Sequence, residues 1–91
     1  MAQATVTKKV PDYVGKLEAE IQKAFPGSRI WHESVRKDRY RVLVVSKKFE
    51  RLGHPERQRV VWNIADSALD KSDLLKVSMI LTMSESEYPG E

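Results

Sequence analysis

Apolar residues recur along this chain with two different periods, and the changes of period divide it into helices and strands. A helical period begins at Pro11–Asp12 and ends at the turn signal Pro26–Gly27. A second helical segment extends from Pro55, which suits the first helical position, to about Leu69. The apolar faces predicted for these helices are Val14, Leu17, Ile21, Ala24 and Phe25 in the first, and Val60, Val61, Ile64, Ala65, Ala68 and Leu69 in the second.

Three further segments have the composition of strands. Arg29–Val35 and Tyr40–Ser46 are separated by a short charged turn, so we expect them to pair as an antiparallel hairpin. Leu74–Thr82 is the last predicted strand. Its alternation places Leu75, Val77, Met79 and Leu81 on one side, and Lys76, Ser78 and Ile80 on the other.

The predicted order is α–β–β–α–β, an α+β sandwich of two layers with a three-stranded mixed sheet. The second helix connects two strands of one sheet, which favours a parallel crossover with the helices on one face. Residues 11–83 are predicted to form a single domain. The first ten residues and the acidic tail at 84–91 are expected to be flexible.

Composition narrows the class of protein without identifying its function. The chain has 91 residues, 41% hydrophobic and 32% charged, as expected for one small globular domain. No run approaches the ~20 apolar residues that span a bilayer, and MAQATVTKKV lacks the apolar core of a secretory signal, so we expect a cytoplasmic protein. The absence of cysteine excludes disulfides and thiolate ligands from this chain.

The sequence does not indicate an enzyme. Its two histidines are far apart, no serine lies in a nucleophile motif, and the isolated glycines form no phosphate-binding loop. His54 precedes Pro55 and His32 lies in the first predicted strand. Each could be a metal ligand, but a loop residue and a half-buried packing residue are the simpler interpretations.

The segment between Tyr40 and Trp62 has the strongest signal for binding. The dense apolar run Val42–Val45 is followed by a basic turn and the start of the second helix. Cations at a helix N-terminus are disfavoured by the helix dipole, so Arg57 and Arg59 suggest phosphate contacts or an acidic partner. Alternatively, they remain solvated above the core. The basic residues in question are Lys47, Lys48, Arg51, Arg57 and Arg59.

This segment resembles the BolA family. The resemblance rests on RVLVVSKKF at Arg41–Phe49, followed by a short loop and PERQRVVWNI at Pro55–Ile64, and it extends from about Val14 to Tyr88. It implies a fold similar to a type II KH domain, in agreement with the order of elements. It also implies two activities: DNA-binding transcription regulation, and pairing with a monothiol glutaredoxin around a shared [2Fe–2S] cluster.

In the glutaredoxin pairing, the resemblance implies a ligand from the histidine of an Arg-His-Arg motif and another from the loop between the first strands. This chain has Gln58 at the motif's central position, and its loop Ser34–Asp38 has neither histidine nor cysteine. A glutamine amide lacks the imidazole nitrogen that suits iron. His54 or His32 would therefore be an unusual ligand, although contact with glutaredoxin could persist without ligation.

We therefore expect a non-enzymatic BolA-like regulatory or adaptor protein that acts through Ser46–Arg59. The alternatives are a nucleic-acid-binding module using the same basic segment, or an iron–sulfur partner with a non-standard histidine. No Gly-X-X-Gly loop is present, so KH-type recognition of single strands is not expected. The residues expected to bind a partner or nucleic acid are Lys47, Lys48, Arg51, His54, Arg57, Gln58 and Arg59.

Overall fold

The structure, a computed structural model, describes residues 11–88 and confirms the predicted order of the main elements. Its helices and strands are α1 (Asp12–Ala24), β1 (Arg29–Arg36), β2 (Arg39–Val45), a 3₁₀ helix (Lys47–Arg51), α2 (His54–Ala68), α3 (Lys71–Leu74) and β3 (Val77–Met83). The 3₁₀ helix and the single turn of α3 are additions to the predicted α–β–β–α–β order.

The three strands form one mixed sheet in the order β1–β2–β3, as predicted. β1 pairs antiparallel with β2, and β2 pairs parallel with β3. Val42 and Val44 of β2 are buried with residues of both long helices, such as Leu17 of α1 and Val61 of α2. The hydrophobic core therefore lies between the sheet and one layer of helices, which is the two-layer α+β class expected from the sequence.

The 3₁₀ helix is anchored in the core by one aromatic residue. Phe49 is fully buried although its neighbours in KKFER are all charged. Its ring lies 4.9 Å from that of Phe25 at the end of α1. Burial of a phenylalanine side chain contributes about 1.5–3 kcal/mol. The basic turn after β2 is therefore attached to the core through Phe49.

The start of β3 differs from the sequence prediction. Leu74 belongs to α3, whose N-cap Asp70 accepts a hydrogen bond from the Asp73 N–H at 2.9 Å. In the sheet, Tyr40 is opposite Val77 and Arg41 is opposite Met79, so Ser78 is an extra residue. Such a bulge reverses the alternation of faces. It explains why Val77 and Ile80 are both buried, and why the predicted face containing Val77, Met79 and Leu81 is incorrect.

The sheet face opposite the helices is open and partly apolar. Trp31, Met79 and Leu81 remain 41–45% exposed there. Arg41 and Glu33 form an ion pair of 2.7 Å on neighbouring strands. Within residues 11–88, no helix has the length and apolar character needed to cross a bilayer.

Residues 84–88, the start of the acidic tail, make specific contacts in the structure. Ser84 is 2% exposed, and the Ser84 N–H donates to the Glu87 carboxylate at 2.9 Å. The Tyr88 ring stacks on Trp31 with centroids 5.3 Å apart. The acidic composition suggested solvation, but Glu87 has a buried arginine as its partner, described below. Residues 1–10 and 89–91, the remaining segments predicted to be flexible, lie outside the described residues.

Candidate partner-binding site

The basic segment, Ser46–Arg59, has a defined conformation between β2 and the first turns of α2. The Ser46 N–H donates to the Met83 carbonyl at 3.0 Å, which fixes the segment to the end of β3. The Ser46 side chain in turn accepts from the Lys48 N–H at 3.1 Å and caps the 3₁₀ helix. With Phe49 buried beneath it, the segment presents its charged side chains from an ordered backbone.

Four of its cations are directed to solvent. Lys47, Lys48, Arg51 and Arg59 are exposed, and none of them forms an ion pair with another residue in the range 11–88. An exposed cation without an internal partner can be neutralised by a phosphate or carboxylate at little desolvation cost. These side chains are the part of the predicted site that is available to a ligand.

Arg57 is directed inward and is 4% exposed. Its Nε donates to the Leu52 carbonyl at 2.9 Å, and its Nη2 donates to the Phe49 carbonyl at 2.6 Å. Nη1 donates to Glu87 Oε1 at 2.8 Å. The acidic partner suggested by the sequence therefore lies within the chain itself. Arg57 connects the basic segment to residues 84–88, and its guanidinium is not accessible to a phosphate.

Glu87 completes this connection. Hydrogen bonding from Arg57, and secondarily from the Ser84 N–H, lowers the pKa of the Glu87 carboxyl from 4.5 to about 2. Both interactions favour the ionised form of the carboxyl group. The side chain is nevertheless 41% exposed, so the ion pair is partly screened by water.

Gln58 uses both halves of its amide inside the structure. Its Nε2 donates to the Ile80 carbonyl at 2.8 Å, and its Oε1 accepts from Trp62 Nε1 at 3.1 Å. The indole N–H can only donate, which fixes the orientation of the amide. The Met83 carbonyl points to the β2 side of β3, so by alternation the Ile80 carbonyl points away from β2. Gln58 therefore caps the outer edge of the sheet.

The two histidines do not form a metal site with other donors. His54 is the exposed first residue of α2, whereas His32 Nδ1 lies 2.7 Å from a Glu18 carboxylate oxygen on α1. In the part of the chain described here, no three His, Cys, Asp or Glu residues are grouped as ligands. A shared cluster would need only two ligands from this chain, at the motif position and in the loop between β1 and β2. The amide of Gln58 is occupied at the first position and the loop Ser34–Asp38 has neither histidine nor cysteine, so the residues at these positions do not fit the cluster chemistry implied by the resemblance.

The structure thus separates the residues predicted as a single site. Lys47, Lys48 and Arg51 lie together around the 3₁₀ helix, while Arg57 and Gln58 serve internal contacts. Sequence reasoning did not identify the apolar residues beside these cations, Phe25 and Leu52, or the role of Glu87. The available signal for Phe49 was its place as a single apolar residue between charged neighbours, and Leu52 is likewise a single apolar residue, between Arg51 and Gly53. Nothing local indicated the contact between residues 57 and 87.

The fold and topology define a BolA-like α+β domain. Among solved structures, the chain is similar to BolA1 from Arabidopsis thaliana, with a TM-score of 0.69. The similarity covers 88% of this chain and 100% of that chain at 22% sequence identity. At this identity the likeness establishes the fold, and it confirms the expected BolA-like architecture.

A weaker similarity is to a bol-like protein from Babesia bovis, with a TM-score of 0.49 and 18% identity. It covers 81% of this chain and 86% of that chain. No family model matches the sequence, and no curated protein matches it.

Proposed function

We propose that this chain is a non-enzymatic BolA-like regulatory or adaptor protein whose working surface is the basic segment. The observation that carries the proposal is the group of exposed cations Lys47, Lys48 and Arg51 on a 3₁₀ helix anchored by buried Phe49. An ordered loop loses less conformational entropy on binding than a flexible one. The BolA-like fold supports the proposal by analogy, which is a weaker argument than the site itself.

The groups with perturbed pKa values within residues 11–88 have structural roles. Strongly shifted pKa values often mark catalytic residues. Here burial raises the pKa of Tyr13, the Asp73 N–H lowers that of Asp70 at the cap of α3, and Arg57 lowers that of Glu87. Each shift has a structural cause, so we assign none of these groups a chemical step.

Nucleic-acid binding is the second candidate, and the observation that favours it is the group of exposed cations that form no ion pair within residues 11–88. Phosphate contacts from such side chains give affinity that falls steeply with salt, with typical non-specific Kd values of ~10⁻⁴ to 10⁻⁶ M. Arg59 would contribute here, because it is exposed on the first turns of α2. Arg57 would not contribute, since its guanidinium donates to internal carbonyls.

A shared iron–sulfur cluster is not part of the proposal, because the donors present do not fit it. Contact with a monothiol glutaredoxin is separable from ligation, and we retain that protein as a candidate partner. Docking would then take place equally with the apo and the cluster-loaded glutaredoxin.

The test is a titration of ¹⁵N-labelled protein with short duplex DNA at low salt, and then with apo and cluster-loaded monothiol glutaredoxin. We expect amide shifts concentrated at residues 47–60 with at least one of these ligands. Shifts with DNA alone would identify a regulator, and shifts with glutaredoxin alone would identify an adaptor. If the amide shifts required the cluster, and if this requirement disappeared in His54→Ala, the conclusion that the chain does not ligate a cluster would be wrong.

A charge-matched control separates the site from general electrostatics. One variant replaces Lys47, Lys48 and Arg51 by alanine, and the control replaces exposed Lys16, Lys37 and Lys71. Both variants change the net charge equally. Binding should weaken only in the first, and for DNA its salt dependence should flatten by about one unit of slope per lost phosphate contact. An equal loss of binding affinity in the two variants would contradict the assignment of the basic segment as the binding surface.

A further inference from the structure

A hollow beside the 3₁₀ helix combines an apolar floor with a basic rim. It has a volume of about 530 Å³ and is lined by Phe25, Lys47, Lys48, Arg51 and Leu52. Ligand pockets in proteins have volumes of roughly 300–1,000 Å³. The hollow is therefore large enough for a bulky side chain together with the charged groups next to it.

The floor of the hollow is held in place by the core. Phe25 is 5% exposed and packs on Phe49, and Leu52 is partly buried against the same cluster. The Leu52 carbonyl accepts from Arg57, which fixes the chain at this point. Lys48 Nζ lies 6.0 Å from the centroid of the Phe25 ring, above the floor. The hollow therefore does not require rearrangement of the backbone before it can be filled.

The charge around the hollow is unbalanced. Lys47, Lys48 and Arg51 form no ion pair within residues 11–88, in contrast to Arg41 on the open sheet face, which is paired with Glu33. This charge favours a ligand that brings negative charge to the rim. A neighbouring hollow shares Lys47 and Lys48 but includes Glu85, so an acidic ligand is favoured on the Phe25 side.

We propose that this hollow binds an acidic peptide segment of a partner protein, with one aromatic side chain inserted against Phe25 and Leu52. A nucleic-acid backbone would neutralise the rim but leave the apolar floor uncovered. A peptide with carboxylates on both sides of an aromatic anchor satisfies both parts of the hollow, and a central anchor in a pocket typically dominates such an interface. The inference rests on the proposed function and specifies the chemistry of its partner.

Two fluorescent peptides test the proposal directly. The first is Asp-Glu-Trp-Glu-Asp, and the second has serine in place of tryptophan, so both have the same charge. Fluorescence anisotropy with the full chain should show the tryptophan peptide binding at least about tenfold more tightly, equivalent to about 1.4 kcal/mol. Equal affinity for the two peptides would overturn the apolar part of the proposal.

Variants on each side of the hollow provide independent readouts. Leu52→Ala should reduce the difference in affinity between the two peptides. Lys48→Ala should weaken the binding of both peptides and should make their affinity less dependent on salt. Lys71→Ala, which removes an exposed lysine on α3, is the matched control and should change neither. Amide spectra of each variant establish whether it is folded. If Leu52→Ala does not fold, the affinities measured with Lys48→Ala still test the proposal.

The outcomes also distinguish this inference from the proposed function. If residues 47–60 respond to DNA or glutaredoxin but neither peptide binds, the peptide proposal fails and the working surface stands. If tryptophan and serine peptides bind alike and duplex DNA binds more tightly than both, the site recognises phosphate. If no ligand of any class affects this segment, both proposals fail.

Discussion

Replacing Arg57 by alanine tests whether this arginine is structural or belongs to the binding surface. Its side chain donates to the carbonyls of Leu52 and Phe49, and it is 4% exposed. Hydrogen bonds from a charged group are worth about 1.5–3 kcal/mol each, so the two contribute about 3–6 kcal/mol before compensation. The partly exposed pair with Glu87 adds little because water screens it.

Compensating terms reduce the expected loss of stability. Alanine releases up to about 2 kcal/mol of side-chain entropy that the ordered arginine had lost. We therefore expect Arg57→Ala to lower the free energy of unfolding by about 1–4 kcal/mol after subtraction of this term. At roughly 4–8 °C per kcal/mol for a domain of this size, Tm should fall by about 4–30 °C.

Urea denaturation followed by circular dichroism measures this change, and Arg59→Ala is the matched control. Arg59 is exposed on the same helical turns, so its replacement should change stability by no more than about 0.5 kcal/mol. The order of effects should reverse for DNA binding, where Arg59 contributes and Arg57 does not. Equal stability of the two variants would refute the structural assignment of Arg57.

Three further predictions concern contacts around the site. The pKa of Glu87 is lowered from 4.5 to about 2, so its ionised carboxylate stabilises the fold above pH 4.5. This stabilisation is lost as pH falls towards 2, and the Tm difference between wild type and Glu87→Gln should shrink over that interval. A constant difference would contradict the Arg57–Glu87 linkage. Gln58→Ala should cost about 1–2 kcal/mol in urea denaturation and shift the Trp62 indole N–H signal. An unshifted signal would exclude the Gln58–Trp62 bond. Gly27 has φ +84°, so Gly27→Ala should destabilise the chain by about 1 kcal/mol, whereas Gly15→Ala on α1 should not. Similar losses for both would argue against the left-handed turn.

Local signals predicted the elements because most of them have a clear period. The spacing of Val14, Leu17 and Ile21 was sufficient to identify α1, and these residues are buried as expected. β3 was less predictable, since Leu74 and Leu75 look like a strand until the Asp70 cap is recognised. The Ser78 bulge has no marker in the sequence, and it reversed the expected faces of the strand.

The candidate site was predictable in its position but not in the role of each residue. A basic turn between an apolar strand and a helix indicated a binding surface around Lys47 and Arg51. Whether an arginine points outward depends on partners distant in sequence. Arg57 is committed to Glu87, which is thirty positions further along the chain. The composition of residues 84–91 indicated an acidic tail, and it contained no information about that partner.

The geometry of one helical turn explains how Arg57, Gln58 and Arg59 have three different roles. Successive residues are rotated by about 100°, so residues four apart share a face. Arg57 shares its face with buried Val61, and Gln58 lies on the face of its hydrogen-bond partner Trp62.

Arg59 lies on the remaining face of this turn, with exposed Asn63. Of the three motif residues, only Arg59 is therefore directed to solvent, where a ligand could reach it. One arginine supplies too few contacts for a specific partner, because each exposed pair contributes about 0–1 kcal/mol. Under the proposed function, the 3₁₀ helix therefore has to supply the remaining contacts, and Lys47, Lys48 and Arg51 beside the Phe25–Leu52 floor are the residues placed to do so.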